Sequence, residues 1–195
     1  MYKIVLPKLN TKWLGKETIH YKEIDSTQKE IWRRIENKNI DNGTLILADI
    51  QTDGIGTHGR KWYTSQEENI AFSFVIYPNI QIQKIENLTV EIAETLLEVF
   101  QKIYSIQLAI KNPNDIIINN KKVGGILAET KLRGEQIECL VIGIGINTNQ
   151  QKFTKEIENI ATSIKNEFHI KVDNLEVITE FCNLFEQNMI KRMEE

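Results

Sequence analysis

The segment spanning residues 54–62 constrains the fold most strongly, because its glycines lie between two stretches that both predict β-strands. The segment is GIGTHGRKW, with three glycines at G-x-G-x-x-G spacing. A Rossmann unit requires a strand before such glycines, a helix after them and an acidic residue about 20 positions later. Residues 44–50 predict the strand, but residues 70–78 predict a second strand instead of a helix. The pattern therefore excludes a Rossmann unit.

The residues at the end of this segment indicate the kind of ligand it could bind. Arg60, Lys61 and Trp62 directly follow the last glycine, so two cations and an indole stand at the exit of a flexible loop. Backbone N–H groups in such loops bind anions, and an indole provides a flat, electron-rich face. We expect the loop to close over an anionic, flat ligand such as an adenylate. A glycine-rich surface loop without a ligand is the alternative for this segment taken alone.

The composition predicts one soluble domain covering residues 1–195. With 41% apolar and 26% charged residues, the chain can bury a substantial core. Its net charge of −3 argues against a nucleic-acid partner, which requires clustered Lys and Arg. Cys139 and Cys182 lie outside any C-x-x-C motif and predict buried, reduced thiols. Because the sequence has neither a secretory leader nor a membrane-length apolar run, we expect a cytoplasmic protein without a membrane partner.

Hydrophobic periodicity predicts the helices. Asp25 or Ser26 can cap a helix that places Ile31, Trp32 and Ile35 on one face. As helix caps, the Asp-Ser-Thr residues have a structural role, but the same position can offer backbone N–H groups and hydroxyls to a polar ligand. A long amphipathic helix is predicted over residues 85–103. The tail from about residue 155 to residue 195 predicts two amphipathic helices, and one stripe on them carries Leu175, Ile178, Phe181 and Phe185.

Between the long helix and the tail, the sequence predicts four short strands at hairpin spacing. Their segments are QLAIK, DIII, KVGGILAET and ECLVIGIGI, with turns at NPND and at Asn119-Asn120. The fold class is therefore α+β, with a mixed, largely antiparallel β-sheet flanked by helices. We expect these helices on one side of the sheet.

Two clusters in these strands carry candidate functional groups. Lys111 precedes a proline-containing turn that ends at Asp115, and Lys122 stands beside two glycines in the returning strand. Glycine inside an otherwise β-branched strand suggests that a ligand or another backbone approaches closely. The same argument applies to Gly143 and Gly145 in LVIGIGI. Lysine at a hairpin tip also serves solubility, and we favour that role for the neighbouring Lys121.

Common catalytic signatures are missing from the sequence. His20, His58 and His169 have no Ser, Cys or carboxylate at a triad spacing, and no H-E-x-x-H or paired-carboxylate motif occurs. Covalent and zinc catalysis are therefore not expected. A site of glycines, lysines, amides and hydroxyls suits phosphoryl or nucleotidyl transfer, in which positioning and charge neutralisation supply most of the catalysis.

Taken in order, these motifs resemble those of the biotin protein ligases. The matching segments are Asp25-Ser26-Thr27, Gln51 with Gly59-Arg60-Lys61-Trp62, Lys111 with Pro113-Asn114-Asp115, Lys122-x-Gly-Gly-Ile-Leu-x-Glu, and Gly143-x-Gly-Ile-Asn147. The resemblance implies a fold similar to the catalytic domain of class II aminoacyl-tRNA synthetases. It further implies activation of biotin with ATP and Mg²⁺ to biotinyl-5′-AMP, followed by transfer to a lysine of a biotin carboxyl carrier protein, such as that of acetyl-CoA carboxylase. A homodimer is one oligomeric state that the resemblance leaves open.

The resemblance also implies roles for individual residues. The biotin-binding set is Ser26, Thr27, Gln51, Gly54, Lys122, Gly125, Gly143 and Gly145. The ATP-binding set is Gly56, Gly59, Arg60, Trp62, Asn114 and Asn147. The catalytic set is Lys122, Lys111 and Asp115, with Lys122 between the biotin carboxylate and the α-phosphate and Asp115 beside the acceptor amine. It assigns no metal ligands.

The sequence departs from the family pattern in three respects. Ile55 and Thr57 replace two arginines of the glycine loop, and Asn112 replaces a tryptophan before the Pro-Asn-Asp turn. The sequence also predicts neither an N-terminal helix-turn-helix domain nor a complete C-terminal β domain. Two alternative functions stay open: a lipoate or octanoate ligase or transferase of the same fold, and a non-catalytic adenine-nucleotide-binding module.

Overall fold

A computed structural model describes residues 1–65, 68–111 and 113–194, so that Asn112 lies outside the described residues. Ten strands are found there: β1 (Tyr2–Ile4), β2 (Thr18–Ile24), β3 (Leu45–Gln51), β4 (Gly54–Ile55), β5 (Lys61–Trp62), β6 (Asn69–Ile76), β7 (Ala109–Lys111), β8 (Asp115–Ile118), β9 (Lys121–Arg133) and β10 (Gln136–Asn147). The helices are α1 (Thr27–Glu36), α2 (Leu88–Tyr104), α3 (Ile164–Phe168) and α4 (Asn174–Glu194), with short 3₁₀ turns at Thr57–Gly59 and Ile82–Ile85.

Eight of these strands form one sheet in the order β1-β2-β3-β6-β10-β9-β8-β7. Only the β2–β3 pair is parallel, and the other neighbours are antiparallel. The prediction of a mixed, largely antiparallel sheet is therefore confirmed. Strands β9 and β10 are 13 and 12 residues long, so they are longer than the short strands expected from the sequence.

The helices lie on both faces of the sheet, so the prediction that they share one side is wrong. In β3, Leu45 and Leu47 pack into the core beneath α2 and α4, whereas Ile46 packs with Ile31 of α1 on the opposite face. Every residue of β6 is buried, which means that this strand needs cover on both faces. Helix α1 provides that cover on the second face, called here the α1 face.

The larger core lies on the face covered by α2 and α4. Phe74 packs edge-on against Phe185, with 5.5 Å between ring centroids, and Phe181 stacks on Phe185 at 5.3 Å. The predicted apolar stripe is thus confirmed for Ile178, Phe181 and Phe185, which are buried. Leu175 is wrongly placed in it, because this residue lies in the first turn of α4 and is 39% exposed.

Several element boundaries also differ from the prediction. Helix α2 begins at Leu88 rather than at residue 85, and a 3₁₀ turn over Ile82–Ile85 precedes it. In the tail, α3 has only five residues. The turn at Asn119 and Asn120 is confirmed, with φ of 50° and 64°, as two-residue hairpin turns of this kind require. No helix in the described part of the chain is long and apolar enough to cross a bilayer.

A buried carboxylate ties the N-terminal segment to the last helix. Glu186 of α4 is only 3% exposed and accepts hydrogen bonds from three consecutive backbone N–H groups. The donors are Lys12, Trp13 at 2.8 Å and Leu14 at 2.8 Å. Three such bonds to one carboxylate satisfy three backbone donors at once, including that of the buried residue Leu14.

Candidate functional site

Two adjoining cavities open on the α1 face, and the first of them lies beside the beginning of α1. The first encloses about 440 Å³, counting its open mouth. Its polar and glycine lining comes from the beginning of α1, the end of β3, the glycine segment of residues 54–62, the turn before β8, and strands β6, β9 and β10. These residues are Ser26, Thr27, Gln28, Gln51, Gly56, Thr57, Trp62, Ser73, Asn114, Lys122, Gly125, Gly143 and Gly145. The structure therefore brings together most of the biotin-binding set that the resemblance implies.

The turn before α1 is held from outside the cavity. Both oxygens of Asp25 accept hydrogen bonds from the Arg33 guanidinium, at 2.7 and 2.8 Å, and one of them also accepts from the Ser26 N–H. The hydrogen bonds from Arg33 lower the pKa of Asp25 to about 2. Ser26 is the N-cap residue, but its side chain makes no capping bond. Its hydroxyl is buried in the cavity wall without a partner among the described residues, which does not fit a purely structural cap.

Thr27 and Gln51 are joined directly, although they are far apart in sequence. The side-chain oxygen of Gln51 accepts from the Thr27 N–H at 2.8 Å and from its hydroxyl at 3.1 Å. The Thr27 hydroxyl also lies 2.8 Å from the hydroxyl of Ser73 on β6. Sequence reasoning missed Ser73, although a single serine within IAFSFVI was a signal that one face of this strand meets polar groups.

Gln28 is a second residue that the sequence analysis missed. Its side-chain NH₂ donates to a carboxylate oxygen of Glu129 at 2.9 Å and to the Val141 carbonyl at 3.3 Å. The same Glu129 oxygen accepts from the indole N–H of Trp32 at 2.7 Å. The side-chain oxygen of Gln28 has no partner among the described residues and is buried.

The glycines of β10 make room for side chains of the protein itself. A Cβ atom at position 145 would lie 2.3 Å from the Trp62 indole, and one at position 143 would lie 2.6 Å from the Gln28 side-chain oxygen. Both distances are too short for real atoms, so Gly143 and Gly145 allow these two side chains to lie against the sheet. The close approach predicted from glycine in a strand is therefore present, and its cause in the structure is intramolecular packing.

A β-bulge turns Lys122 into the cavity. The register shifts between Ile116, which is opposite Gly124, and Ile117, which is opposite Lys122, so Val123 is an extra residue in β9. If the same residues paired without this bulge, strict alternation from Gly125 would direct Lys122 to the α2/α4 side. Sequence reasoning identified this lysine but did not detect the bulge.

Lys122 stands at the junction between the two cavities and lines both. Its ammonium nitrogen lies 2.6 Å from a carboxylate oxygen of Asp115 and 5.8 Å from the centre of the Trp62 ring. The ion pair is half-buried, which keeps the lysine oriented toward the cavities. The structure thus brings Lys122 and Asp115 together. By contrast, the side chain of Lys111 is exposed on β7 and lines neither of these cavities.

The glycine segment folds as a small hairpin rather than an open loop. Gly54 pairs with Trp62, and the Gly56 N–H donates to the Arg60 carbonyl at 2.7 Å. A Cβ atom at position 54 would lie 2.4 Å from the Trp62 carbonyl oxygen, so only glycine allows the two strands of the hairpin to pair this closely. Gly54 lines neither cavity. Gly59 has φ of 71° and is exposed at the hairpin tip.

The second cavity encloses about 1010 Å³, counting its mouth, on the other side of Trp62. Its lining is Gly56, Thr57, Arg60, Lys61, Trp62, Tyr63, Lys122, Asn147, Gln150, Ile157, Ile160 and Ala161. The Arg60 guanidinium donates to the carbonyl of Thr57 at 3.2 Å and to its hydroxyl at 3.0 Å. The side-chain amide of Asn147 bonds to Asn69 at 2.9 Å and to the Thr162 carbonyl at 3.1 Å. Asn147 therefore stabilises the wall of the second cavity through these hydrogen bonds.

Asn114 lies in the first cavity, although the resemblance groups it with the ATP-binding residues. Its NH₂ group donates to the Ile126 carbonyl at 3.0 Å and to the Thr57 hydroxyl at 3.3 Å, which links β9 to the glycine hairpin. Among the described residues, no group of three or more His, Cys, Asp or Glu side chains could hold a metal ion.

Comparison with known proteins agrees with this geometry. The model of the biotin/lipoate A/B protein ligase family matches residues 21–147, which contain most of both cavity linings. The chain belongs to this family. Among its relatives, the bifunctional ligase/repressor BirA of Bacillus subtilis is 36% identical over 92% of this chain and 55% of its own length. The biotin--[acetyl-CoA-carboxylase] ligase of Paracoccus denitrificans is 30% identical over 63% of the chain and 51% of its length.

A solved structure confirms the predicted fold class. The biotin protein ligase of Aquifex aeolicus, determined in complex with biotin and ATP, superposes with a TM-score of 0.76 and is 34% identical. The match covers 92% of this chain and 73% of that structure. The chain spans about half the length of the curated relatives it matches. The resemblance to biotin protein ligases deduced from the sequence is confirmed.

Proposed function

We propose that this chain activates biotin with ATP to biotinyl-5′-AMP and transfers the biotin to a lysine of a biotin carboxyl carrier protein. The observation that carries the proposal is the shared wall of the two cavities, in which Lys122 and Trp62 face both. Two ligands bound side by side there would meet at a cation. Holding two reactants in contact and neutralising their charge are the main requirements of adenylyl transfer.

The first cavity suits the head of biotin. Its ureido group carries N–H donors and a carbonyl acceptor, and Ser26, Thr27 and Gln51 supply hydroxyl and amide groups in one wall. The apolar parts of the fused rings contact the glycine-lined strands and the Trp62 indole. The carboxylate of the side chain then points toward Lys122.

The second cavity suits ATP. Arg60 and Lys61 supply positive charge at its edge, and Trp62 and Ile160 supply apolar surface for a flat base. Magnesium enters with ATP as part of the substrate, since Mg²⁺ in such sites takes most of its oxygen ligands from phosphates and water.

The reaction proceeds in two steps. A carboxylate oxygen of biotin attacks the α-phosphorus of ATP, and the bond to the β-phosphate oxygen breaks, so that pyrophosphate leaves with its electron pair. The amine of the carrier lysine then attacks the acyl carbon of the mixed anhydride, and AMP leaves. Lys122 neutralises charge in the first step, where carboxylate and phosphate oxygens must approach each other. Asp115 orients the incoming amine and accepts its proton in the second step.

The decisive test has two parts. The first measures biotin-dependent exchange of labelled pyrophosphate into ATP. The second measures transfer of labelled biotin to a carrier domain of acetyl-CoA carboxylase, the partner class that the name of the Paracoccus relative gives. The expected result is exchange with biotin and none with lipoate or octanoate. Exchange with lipoate or octanoate alone would establish the lipoate-ligase alternative. ATP binding without exchange on any of the three acids would establish the nucleotide-binding module.

Asp115→Asn is expected to separate the two steps. Because the asparagine can still accept a hydrogen bond from Lys122, we expect pyrophosphate exchange within about threefold of wild type. Transfer to the carrier should slow by about 100-fold, the lower range for loss of a general base. Single-turnover transfer from preformed biotinyl-5′-AMP measures this rate, with Asp41→Asn in an exposed turn as control. Equal loss of both steps would place Asp115 on the nucleotide instead.

The absent loop arginines lead to a prediction about retention of the intermediate. Ile55 and Thr57 cannot bind a phosphate as arginines do, and Arg60 is already engaged by Thr57. Combining Ile55→Arg with Thr57→Arg should slow the escape of biotinyl-5′-AMP by about tenfold or more, since a charge-assisted hydrogen bond contributes roughly 1.5–3 kcal/mol. Wild type should correspondingly label bystander lysines.

The escape rate is measured by trapping labelled biotinyl-5′-AMP released in a single turnover without carrier. Val5→Arg combined with Ile82→Arg adds the same two charges at exposed positions outside both cavities and serves as the control. If wild type holds the intermediate as long as the Ile55/Thr57 double variant, other residues close the site and the prediction is wrong.

A further inference from the structure

We propose that Glu167 is a positioning residue for Lys122, because its carboxylate holds both segments that fix the backbone of this lysine. The inference rests on the proposed function, in which Lys122 is the cation between the two substrates. It extends that function to a residue that the family resemblance does not assign and that lines neither of the two cavities. Glu167 therefore acts on the reaction through Lys122.

The backbone of Lys122 lies beyond the end of the β9–β10 pairing. That pairing ends at Gly124, two residues further along β9. Residues 160–162 take the place of β10 beside Lys122, as a parallel bridge. The Lys122 N–H donates to the Ile160 carbonyl at 2.8 Å, and the Lys122 carbonyl accepts from the Thr162 N–H at 2.8 Å. The position of this backbone therefore depends on how firmly residues 160–162 are held.

A single carboxylate joins this segment to the hairpin that carries Lys122. One oxygen of Glu167 accepts from the Thr162 hydroxyl at 2.5 Å, and the other accepts from the side-chain NH₂ of Asn119 at 2.7 Å. Thr162 is 3% exposed, and Asn119 lies in the turn between β8 and β9. The hydrogen bond from Thr162 lowers the pKa of Glu167, so the ionised carboxylate that both donors require is the stable form at neutral pH.

The bulge at Val123 makes this support necessary. A bulge locally disrupts the hydrogen bonds of the ladder, and this one stands next to Lys122. Charge neutralisation at a reacting centre depends on position, and a misplacement of about 1 Å can cost about 100-fold in rate. Loss of the carboxylate would release Thr162 and Asn119 together. We therefore expect the ammonium group to leave its position between the two cavities.

The first test follows the Lys122 amide itself, so its outcome does not depend on activity. Hydrogen exchange of backbone N–H groups is measured by NMR on the full chain. In Glu167→Ala, we expect the Lys122 N–H to exchange at least about tenfold faster relative to the Ile144 N–H, in the middle of β10, than it does in wild type, because local opening exposes only the first. Thr162→Val, which removes only the hydroxyl link, is a milder second variant with the same expected direction.

The second test measures biotin-dependent pyrophosphate exchange. Glu167→Ala should lower its kcat by about tenfold or more, through misplacement of the cation. In the Lys122→Ala background, the same change should cost less than about twofold, because residues that act as a unit are not additive. Glu158→Ala removes an exposed carboxylate from the same tail segment and should stay within about twofold of wild type, as surface substitutions usually do.

Thr162→Ser keeps the hydroxyl and should retain exchange within about threefold of wild type, whereas Thr162→Val should lose about as much as Glu167→Ala. The inference is overturned if the Lys122 and Ile144 N–H groups accelerate equally, if neither accelerates, or if the losses from Lys122→Ala and Glu167→Ala multiply. Absence of pyrophosphate exchange in wild type would instead overturn the proposed function, and the NMR comparison would still decide whether Glu167 positions Lys122.

Discussion

Lys122→Ala is expected to reduce biotin-dependent ATP–pyrophosphate exchange by at least about two orders of magnitude, in the range for removal of a preorganised charge at a transition state. The ammonium group stands at the junction of the two cavities, where the biotin carboxylate and the α-phosphate would meet. In the proposed reaction, two anions would approach each other there. Without the cation, their repulsion adds to the barrier for attack, and water is a poor substitute in a half-enclosed site.

The neighbouring lysine provides a matched control. Lys121 is exposed at the hairpin, and Lys121→Ala should leave exchange within about twofold of wild type, as surface substitutions usually do. A second variant separates loss of the cation from release of its partner, because Lys122→Ala also leaves Asp115 without its 2.6 Å ion pair. If Lys122→Ala combined with Asp115→Asn regains exchange, the unpaired carboxylate caused the loss. Unchanged exchange in Lys122→Ala alone would refute the proposed role.

Glu186→Ala is expected to lower the free energy of unfolding by about 3–5 kcal/mol, because each donor left without its acceptor costs roughly 1–3 kcal/mol. The carboxylate accepts from three consecutive backbone N–H groups of residues 12–14. Alanine would leave these donors unsatisfied and remove the link between the N-terminal segment and α4. Urea titrations followed by circular dichroism measure the change.

Glu180→Ala is the control on the same helix. Glu180 pairs at the surface with Lys102, whose side chain is 59% exposed, and such surface pairs contribute little to stability. The expected result is a clear difference between the two alanine variants. Equal, small losses would mean that water or a rearranged loop satisfies the three N–H groups when the carboxylate is removed.

The sequence predicted those parts of the fold that depend on local pattern. Apolar periodicity located β3, β6 and α2, and two asparagines identified the β8–β9 turn. The face covered by α1 was not predictable in this way, because an apolar stripe on a helix does not indicate which side of a sheet it covers. That choice depends on β6 being buried on both faces and on how the chain crosses from β2.

The residues of the candidate site likewise fall into two groups, those that local sequence motifs predicted and those that only the folded structure reveals. Ser26, Thr27 and Gln51 were identified from short motifs, and the structure places them in one cavity wall. Gln28 and Ser73 were missed, because a glutamine within a helix and a serine within a strand have many ordinary roles. Their significance comes from contacts between residues far apart in the chain, including the Gln28–Glu129 bond. Such contacts exist only once the sheet has assembled.

The bulge in β9 makes the face of the sheet on which Lys122 lies depend on the backbone conformation of its neighbour Val123. Lys122 reaches the α1 face because Val123 bulges out of the pairing with β8. If the same residues paired with β8 without the bulge, strict alternation from Gly125 would direct the ammonium group into the apolar core beneath α2. A change that straightens this part of β9 should therefore misplace the ammonium group even though Lys122 itself is unchanged.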